Sequence, residues 1–197
     1  MPIREPELAA RQRLSDLFTA HHAELLAYAR RRGAREADAE EVVAETFVVA
    51  WRRMGQLTEG AERAWLYGIA RRVVANQQRG WNRRQQRTGP MPESVASASI
   101  ASGLDADLLR VLERLRTADR ELLELAAWEE LEPADLAVLL DITPNAAAIR
   151  LHRARQRFVD AMIELSESDP ALKGSPWLRT FRWVKGSLAR SRREKDQ

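Results

Sequence analysis

Three carboxylates stand at helical spacing in the segment Ala37–Met54, ADAEEVVAETFVVAWRRM: Asp38, Glu41 and Glu45. At about 100° per residue they share one side of a helix with Val42 and Val49, and Val48 stands at its other edge. Carboxylates so spaced can do two kinds of chemistry. They can hold a hard divalent cation, as in a metal-dependent nuclease, or they can rim a contact with a basic partner. A carboxylate metal site needs ligands turned inward and held by a second layer of hydrogen bonds. These three project outward from a single helix, which favours docking. Acids near a helix start are also stabilised by the helix dipole, so a solvated acidic face with stray valines is the competing account. The valines tilt the balance, because branched apolar residues among carboxylates, turned away from a core, make a docking surface. The core stripe expected for this helix is Val43, Phe47, Ala50, Trp51 and Met54.

A second set of side chains is cationic. From Arg71 to Arg87 there are six arginines and no acid. A helix expected from about Ala61 to Gln86 places Trp65, Leu66, Ile69, Ala70 and Val73 on its buried side. Arg71, Arg72 and Arg79 gather on the other, with Asn76 at the boundary. No interleaved glutamates neutralise them, as i,i+4 pairing would. A nucleic-acid backbone suits such a face, through Coulomb attraction and counterion release; a solubilising arginine face is the plainer alternative. A third set lies near the C-terminal third. Pro133–Leu140 reads as a short helix, Asp141-Ile142-Thr143 as a tight turn, and Pro144 to about Leu165 as a longer helix that exposes Asn145, Arg150, His152, Arg153, Arg155 and Arg157. Thr143 followed by proline is a strong helix start. Ala137, Ile142, Ala147 and Leu151 fall where two crossed helices touch, so the pattern is a helix-turn-helix.

Other chemistry is sparse. There is no cysteine, hence no disulfide or thiolate site, which suits a reducing cytoplasm. His21 lies on an apolar stripe with no partner at metal spacing, and is expected as a core or boundary histidine. No Gly-rich phosphate loop, HExxH or nucleophile–base pair occurs. Neither enzymatic activity, nor a cofactor, nor a metal is expected. No apolar run approaches the about 18 residues that span a bilayer.

The elements that position these groups are helices. Alanine, leucine, arginine and glutamate dominate the 197 residues and strand signals are nearly absent, so the fold class is all-α. The net charge of +3 conceals segregation. Glu36–Glu62 holds seven acids against two arginines, Leu104–Asp135 ten acids against four arginines, and the stretch from Ala171 onward eight basic residues against two acids. Surfaces for separate partners follow from such segregation, one of them a polyanion. Residues 8–87 are expected as a bundle of three helices, the first from about Leu8 to Arg32 with Gly33 after its end. Residues 88–103, TGPMPESVASASIASG, are expected as a flexible linker poor in charge and rich in serine, proline and glycine. Residues 104–166 are expected as the second domain, with helices at Leu104–Leu115 and from a Thr117 cap to about Leu131, then the helix-turn-helix. Residues 167–197 are a basic tail with Trp177, Phe181 and Trp183.

This arrangement resembles the extracytoplasmic-function sigma factors of bacterial RNA polymerase. The first domain matches through Asp38-Ala39-Glu40-Glu41-Val42-Val43-Ala44-Glu45-Thr46-Phe47, Ala50-Trp51-Arg52-Arg53, Ala64-Trp65-Leu66 and Ile69-Ala70-Arg71. The second matches through Leu136-Ala137, Leu139-Leu140 and Arg150-Leu151-His152-Arg153-Ala154-Arg155. The resemblance implies a promoter-specificity subunit that binds core RNA polymerase and promoter DNA. Asp38, Glu41 and Glu45, with Val42 and Val49, would meet the coiled-coil clamp of the polymerase's largest subunit. The loop Gly55–Ala64 would take a flipped-out base of the minus-ten element, and Arg71, Arg72, Asn76 and Arg79 would hold the opened strand. Asn145, Arg150 and Arg153 would face the minus-thirty-five element. An anti-sigma factor is an implied regulator, and the location implied is cytoplasmic, without membrane insertion. A free-standing helix-turn-helix regulator that does not dock on polymerase is the alternative. Four positions depart from the pattern: Glu62 where phenylalanine is usual, Arg72 where asparagine is common, Arg116 for a frequent proline, and Asp141 for the turn glycine. Ala146, Ala147 and Ala148 occupy a stretch that usually brings threonine and lysine. Alanines offer base edges only contact with thymine methyls, so phosphate contacts and DNA shape are expected to matter more there.

Overall fold

A computed structural model of the chain describes residues 5–88 and 106–168. Apart from Thr88 and residues 167–168, the expected linker and basic tail lie outside the described residues. Seven helices and no strand occur among those described: α1 Glu5–Arg31, α2 Glu36–Arg52, α3 Glu62–Thr88, α4 Ala106–Glu113, α5 Thr117–Ala127, α6 Pro133–Leu140 and α7 Pro144–Ser168. They build two compact units, one centred on α1–α3 and one on α4, α5 and α7 with the start of α6.

In the first unit, α2 packs against both α1 and α3. Leu17, Leu25, Tyr28 and Ala29 of α1 are buried, as are Leu66, Tyr67, Ile69, Ala70, Val73 and Val74 of α3. Tyr28 and Tyr67 meet edge to face at 5.3 Å between ring centres, a favoured geometry for aromatic pairs. The end of α1 follows from Gly33, which takes φ 88°. Its N–H donates to the Arg30 carbonyl at 2.9 Å and the Ala34 N–H to the Ala29 carbonyl at 3.1 Å, so two orphan carbonyls are satisfied by a Schellman turn. His21 is half-buried and its Nδ1 pairs with the Glu24 carboxylate, which also accepts from Arg63 Nε of α3 at 2.9 Å. It is a boundary histidine. Glu62, one of the departures noted above, opens α3 and pairs with Arg13 of α1 at 3.2 Å. Its own backbone N–H, then the Arg13 guanidinium, hold its carboxyl below the ordinary glutamate value. That pairing ties the start of α3 to α1.

The second unit is built around α7, whose Ala147, Leu151, Ala154, Phe158, Met162 and Leu165 are buried at helical spacing. Leu108, Val111 and Leu112 of α4 and Leu122, Leu123 and Leu125 of α5 complete its core. Two expectations need correction. Thr117 is not a cap: Arg116 holds the N-cap position, without a side-chain bond, and Thr117 is the first helical residue. And α5 stops at Ala127 rather than near Leu131, because Glu130 takes φ 50° and turns the chain so that the Leu131 N–H reaches the Leu125 carbonyl at 3.2 Å. This reversal buries Leu131.

The helix-turn-helix forms as its residues dictate. Pro133 starts α6, and the Asp135 carboxylate accepts from the Glu132 N–H at 3.0 Å. Asp141 takes φ 55°, with the Ile142 N–H donating to the Ala137 carbonyl at 3.0 Å and the Asp141 N–H to the Val138 carbonyl at 3.3 Å. Aspartate thus fills a left-handed position that glycine occupies more cheaply. Thr143 Oγ1 accepts from the Ala146 N–H at 3.2 Å, capping α7 ahead of Pro144. Asp141→Gly is therefore expected to leave stability unchanged or raise it by up to about 1 kcal/mol, and Asp141→Val to lower it by about 1–2 kcal/mol. Chemical denaturation of the two variants beside the parent measures both; equal effects would exclude a backbone origin.

Candidate functional site

The outward strip of α2 is set by how much of the helix its two neighbours cover. Ala39, Val42, Val43, Thr46, Phe47 and Ala50 are buried. Compared with the stripe expected from sequence, this arc is turned by about 50° around the helix axis. The turn has two consequences. Val42, expected to face outward beside the acids, is fully buried, so it is corrected from surface residue to core residue. Trp51, expected in the core, is 37% exposed. The physical reason is that α2 is packed on two sides. A one-sided amphipathic helix would bury the stripe centred on Phe47, but a helix covered by both α1 and α3 buries whatever lies between them, and Val42 lies there. Thr46, buried as well, satisfies its hydroxyl by donating to the Val42 carbonyl at 2.7 Å.

The remaining residues of the strip keep their places. Glu41 and Glu45 are exposed, Asp38 and Val49 half-buried, and Val48 is 48% exposed. Val48 and Val49 are thus the valines of the expected outward face that remain on it. Glu45 is not independent of the next helix, because Gln77 Nε2 of α3 donates to its Oε2 at 2.9 Å. Beside the strip, Phe18 of α1 is 45% exposed although its ring lies 5.0 Å from that of Phe47 and 4.7 Å from that of His22. Exposed Trp51 is the apolar residue of α2 that sequence periodicity misplaces. The spacing Ala44, Val48, Trp51, at i, i+4 and i+7, is the signal that could find it.

The cationic face of α3 divides in the same way. Arg72 and Asn76 are exposed and Arg71 is half-buried; Arg79 belongs to α3, and its side chain lies outside the described residues. The loop ahead of α3 is shorter than expected. A 3-10 turn covers Met54–Gln56, Gly60 takes φ 80°, and the helix begins at Glu62. Ala64, expected at the loop's end, is buried inside α3. The exposed loop residues are Gly55, Gln56, Thr58, Glu59 and Gly60.

On α7, Asn145, Arg150, His152 and Arg153 are exposed as expected. Arg155 is half-buried, and burial pulls its guanidinium below the usual arginine range. Arg157 is turned to α5, where its Nη1 donates to both oxygens of Asp119 at 2.8 and 3.0 Å. It joins two helices while staying exposed, as expected. Of the three alanines, Ala147 is buried, Ala146 is half-buried and only Ala148 is exposed. Among the described residues no group of three or more histidine, aspartate and glutamate side chains is placed to hold a metal ion. None of the described helices is long and apolar enough to cross a membrane.

Comparison with known proteins falls on the same two units. Residues 17–87 match Sigma-70 region 2 and residues 105–158 match Sigma-70, region 4. The chain is 29% identical over 146 residues to the ECF RNA polymerase sigma factor SigL of Mycobacterium tuberculosis, covering 70% of this chain and 82% of that one. It is 29% identical over 164 residues to the RNA polymerase sigma factor CnrH of Cupriavidus metallidurans, covering 74% and 85%. Among solved structures, that of CnrH in complex with the cytosolic domain of CnrY superposes with a TM-score of 0.53 at 25% identity, over 81% of this chain and 90% of that chain.

The corrected strip on α2 has a direct test. Val42→Ala removes buried methyl groups and is expected to cost about 2 kcal/mol, whereas Val48→Ala stays within about 0.5 kcal/mol of the parent. Denaturant titration distinguishes them; the reverse order would put Val42 back on the surface.

Proposed function

The chain belongs to the extracytoplasmic-function group of the sigma-70 family, and from that premise we propose how its surfaces share the work of a promoter-specificity subunit. It is a sigma factor, which binds core RNA polymerase and directs it to promoters, and it contributes binding and strand separation rather than catalysis. It works in the cytoplasm, where the polymerase and the chromosome are.

The observation that carries the division of labour is the survival of an acidic outward strip on a helix packed from two sides. Asp38, Glu41 and Glu45, with Val48 and Val49 between and beside them, dock on a basic, partly apolar surface of the polymerase; the side chain of Val42 supports this strip from within. Acids at the rim speed and orient encounter, and the desolvated valines hold the complex. Arg71, Arg72, Asn76 and Arg79 on α3 hold the single strand of the opened minus-ten element, where phosphate contact and stacking serve better than groove reading. Exposed residues of the loop at positions 55–61, with its left-handed Gly60, leave room for a base turned out of the stack. On α7, Asn145, Arg150 and Arg153 meet the minus-thirty-five element. CnrH is solved in complex with the cytosolic domain of CnrY, and a protein partner of this chain, an anti-sigma factor, would regulate it in turn.

Two measurements test this reading. In a pull-down with core polymerase the parent is retained, and the combined Asp38→Lys, Glu41→Lys and Glu45→Lys variant washes through. Retention of that variant would mean that the polymerase docks elsewhere, and a parent that binds promoter DNA without polymerase would support a free-standing regulator. Arg71→Ala with Arg72→Ala keeps polymerase binding but slows promoter opening, read by reactivity of unpaired thymines. The slope of log affinity for single-stranded minus-ten DNA against log salt falls by about 0.7 for each phosphate that an arginine no longer neutralises, and an unchanged slope refutes that role.

A further inference from the structure

We propose that Ile149, with Ala148 beside it, makes this protein select a thymine in the upstream promoter element through the base's 5-methyl group. The inference rests on the reading of α7 as the helix that enters promoter DNA. Ile149 is 43% exposed, while the apolar residues on either side of it, Ala147 and Leu151, are 0% and 1% exposed. A lone exposed aliphatic side chain means little by itself. This one stands in the middle of a face. Asn145, Ala148, His152 and Arg153 lie four and one residues before it and three and four after it, and all four are exposed. That face occupies the first turns of the second helix of a helix-turn-helix, the part of such a helix that reaches base edges.

The surroundings limit what can cover it. Arg150 and Arg153 flank the isoleucine and suit phosphates, so the covering partner is anionic. The partner must also offer a small apolar group, since Ile149 is the large apolar side chain exposed on this face of α7 among the described residues, with the single methyl of Ala148 beside it. Within the major groove one such group exists, the thymine C5-methyl. Isoleucine in a helix has one strongly preferred χ1 rotamer, so its outer carbons stand at a fixed place relative to the backbone. The cap at Thr143 and the turn at Asp141 hold that backbone in place. A fixed aliphatic group against a fixed methyl discriminates thymine from cytosine, which lacks the methyl, and from purines, which place ring nitrogen and oxygen or amino groups there.

The test replaces, one at a time, each thymine of the upstream element by deoxyuridine, which lacks only the methyl. Promoters are those selected by holoenzyme assembled from the full chain and core polymerase, with start sites mapped on genomic DNA. At one position the parent holoenzyme is expected to weaken about fourfold in affinity, the value of one buried methyl group. Ile149→Ser holoenzyme binds the thymine and deoxyuridine duplexes equally, Ile149→Val keeps part of the discrimination, and Arg150→Ala weakens both duplexes alike. Circular dichroism melting confirms that the Ile149→Ser chain is folded. A parent indifferent to every deoxyuridine, while still selecting its promoters, overturns the proposal; so does an Ile149→Ser protein with undiminished discrimination. Failure of the parent itself to retain specific promoters would overturn the underlying reading of α7, and it is seen before any thymine is replaced.

Discussion

Everything in the first unit depends on α2 being pressed between two helices. Full burial of residues the size of Val42, Val43 and Phe47 contributes about 1.5–3 kcal/mol each, which fixes the rotation of α2 far more firmly than any surface charge could. The polar contacts in this unit are exposed or half-exposed: His22 of α1 beside Glu40 of α2 at 3.5 Å, and the ion pairs Arg13 with Glu62 and Glu24 with Arg63 between α1 and α3. Pairs of that kind contribute at most about 1 kcal/mol. The functional strip is therefore what remains after packing has taken its share. Asp38, Glu41 and Glu45 stay outside because dehydrating a carboxylate is costly, and Val48 stays outside because it lies beyond the arc that α1 and α3 cover.

In the second unit one helix serves two ends. Along α7, Ala147, Leu151, Ala154, Phe158, Met162 and Leu165 bind the helix to its own core, while Asn145, Ala148, Ile149, His152 and Arg153 occupy the other side of its first turns. A surface carried on a helix whose opposite face is locked in a core is held rigid, which a recognition surface needs. The turn ahead of it uses a less common solution. Asp141 accepts a left-handed backbone for which glycine is the cheaper choice, and the strain is offset by the Ile142 and Asp141 N–H bonds and by the Thr143 cap. Arg157, itself exposed, adds a brace to α5 through Asp119.

Local signals are legible where the physics is local. Gly33 after α1, Pro133 at the start of α6 and the Thr143-Pro144 start of α7 each act within a few residues, and each takes the place its chemistry implies. Ala137 and Ala147, the small residues expected at the crossing of the helix-turn-helix, are both buried. Periodicity misleads where a second element intervenes. Val42 and Trp51 exchange places because periodicity assumes one buried side and α2 has two. Helix α5 ends four residues short of its apolar pattern because nothing in Glu129-Glu130-Leu131 announces a left-handed glutamate. The pairing of exposed Arg157 with Asp119, thirty-eight residues away in the chain, is likewise invisible until the fold brings them together.

Composition, charge segregation and motif spacing were thus enough to determine the helical class, the two-unit order and the kinds of partner, because those properties follow from residue types and local backbone preference. Membership of the sigma-70 family was already readable in the acidic segment and the basic run after Arg150. Which side chains of those segments meet water was decided only by tertiary packing. Helix α2 had to satisfy two neighbours at once, and α7 had to bury one stripe to present another. That Val42 leaves the outward face of α2, and that Ile149 stays on the outward face of α7, are properties of the assembled core, which no single segment specifies.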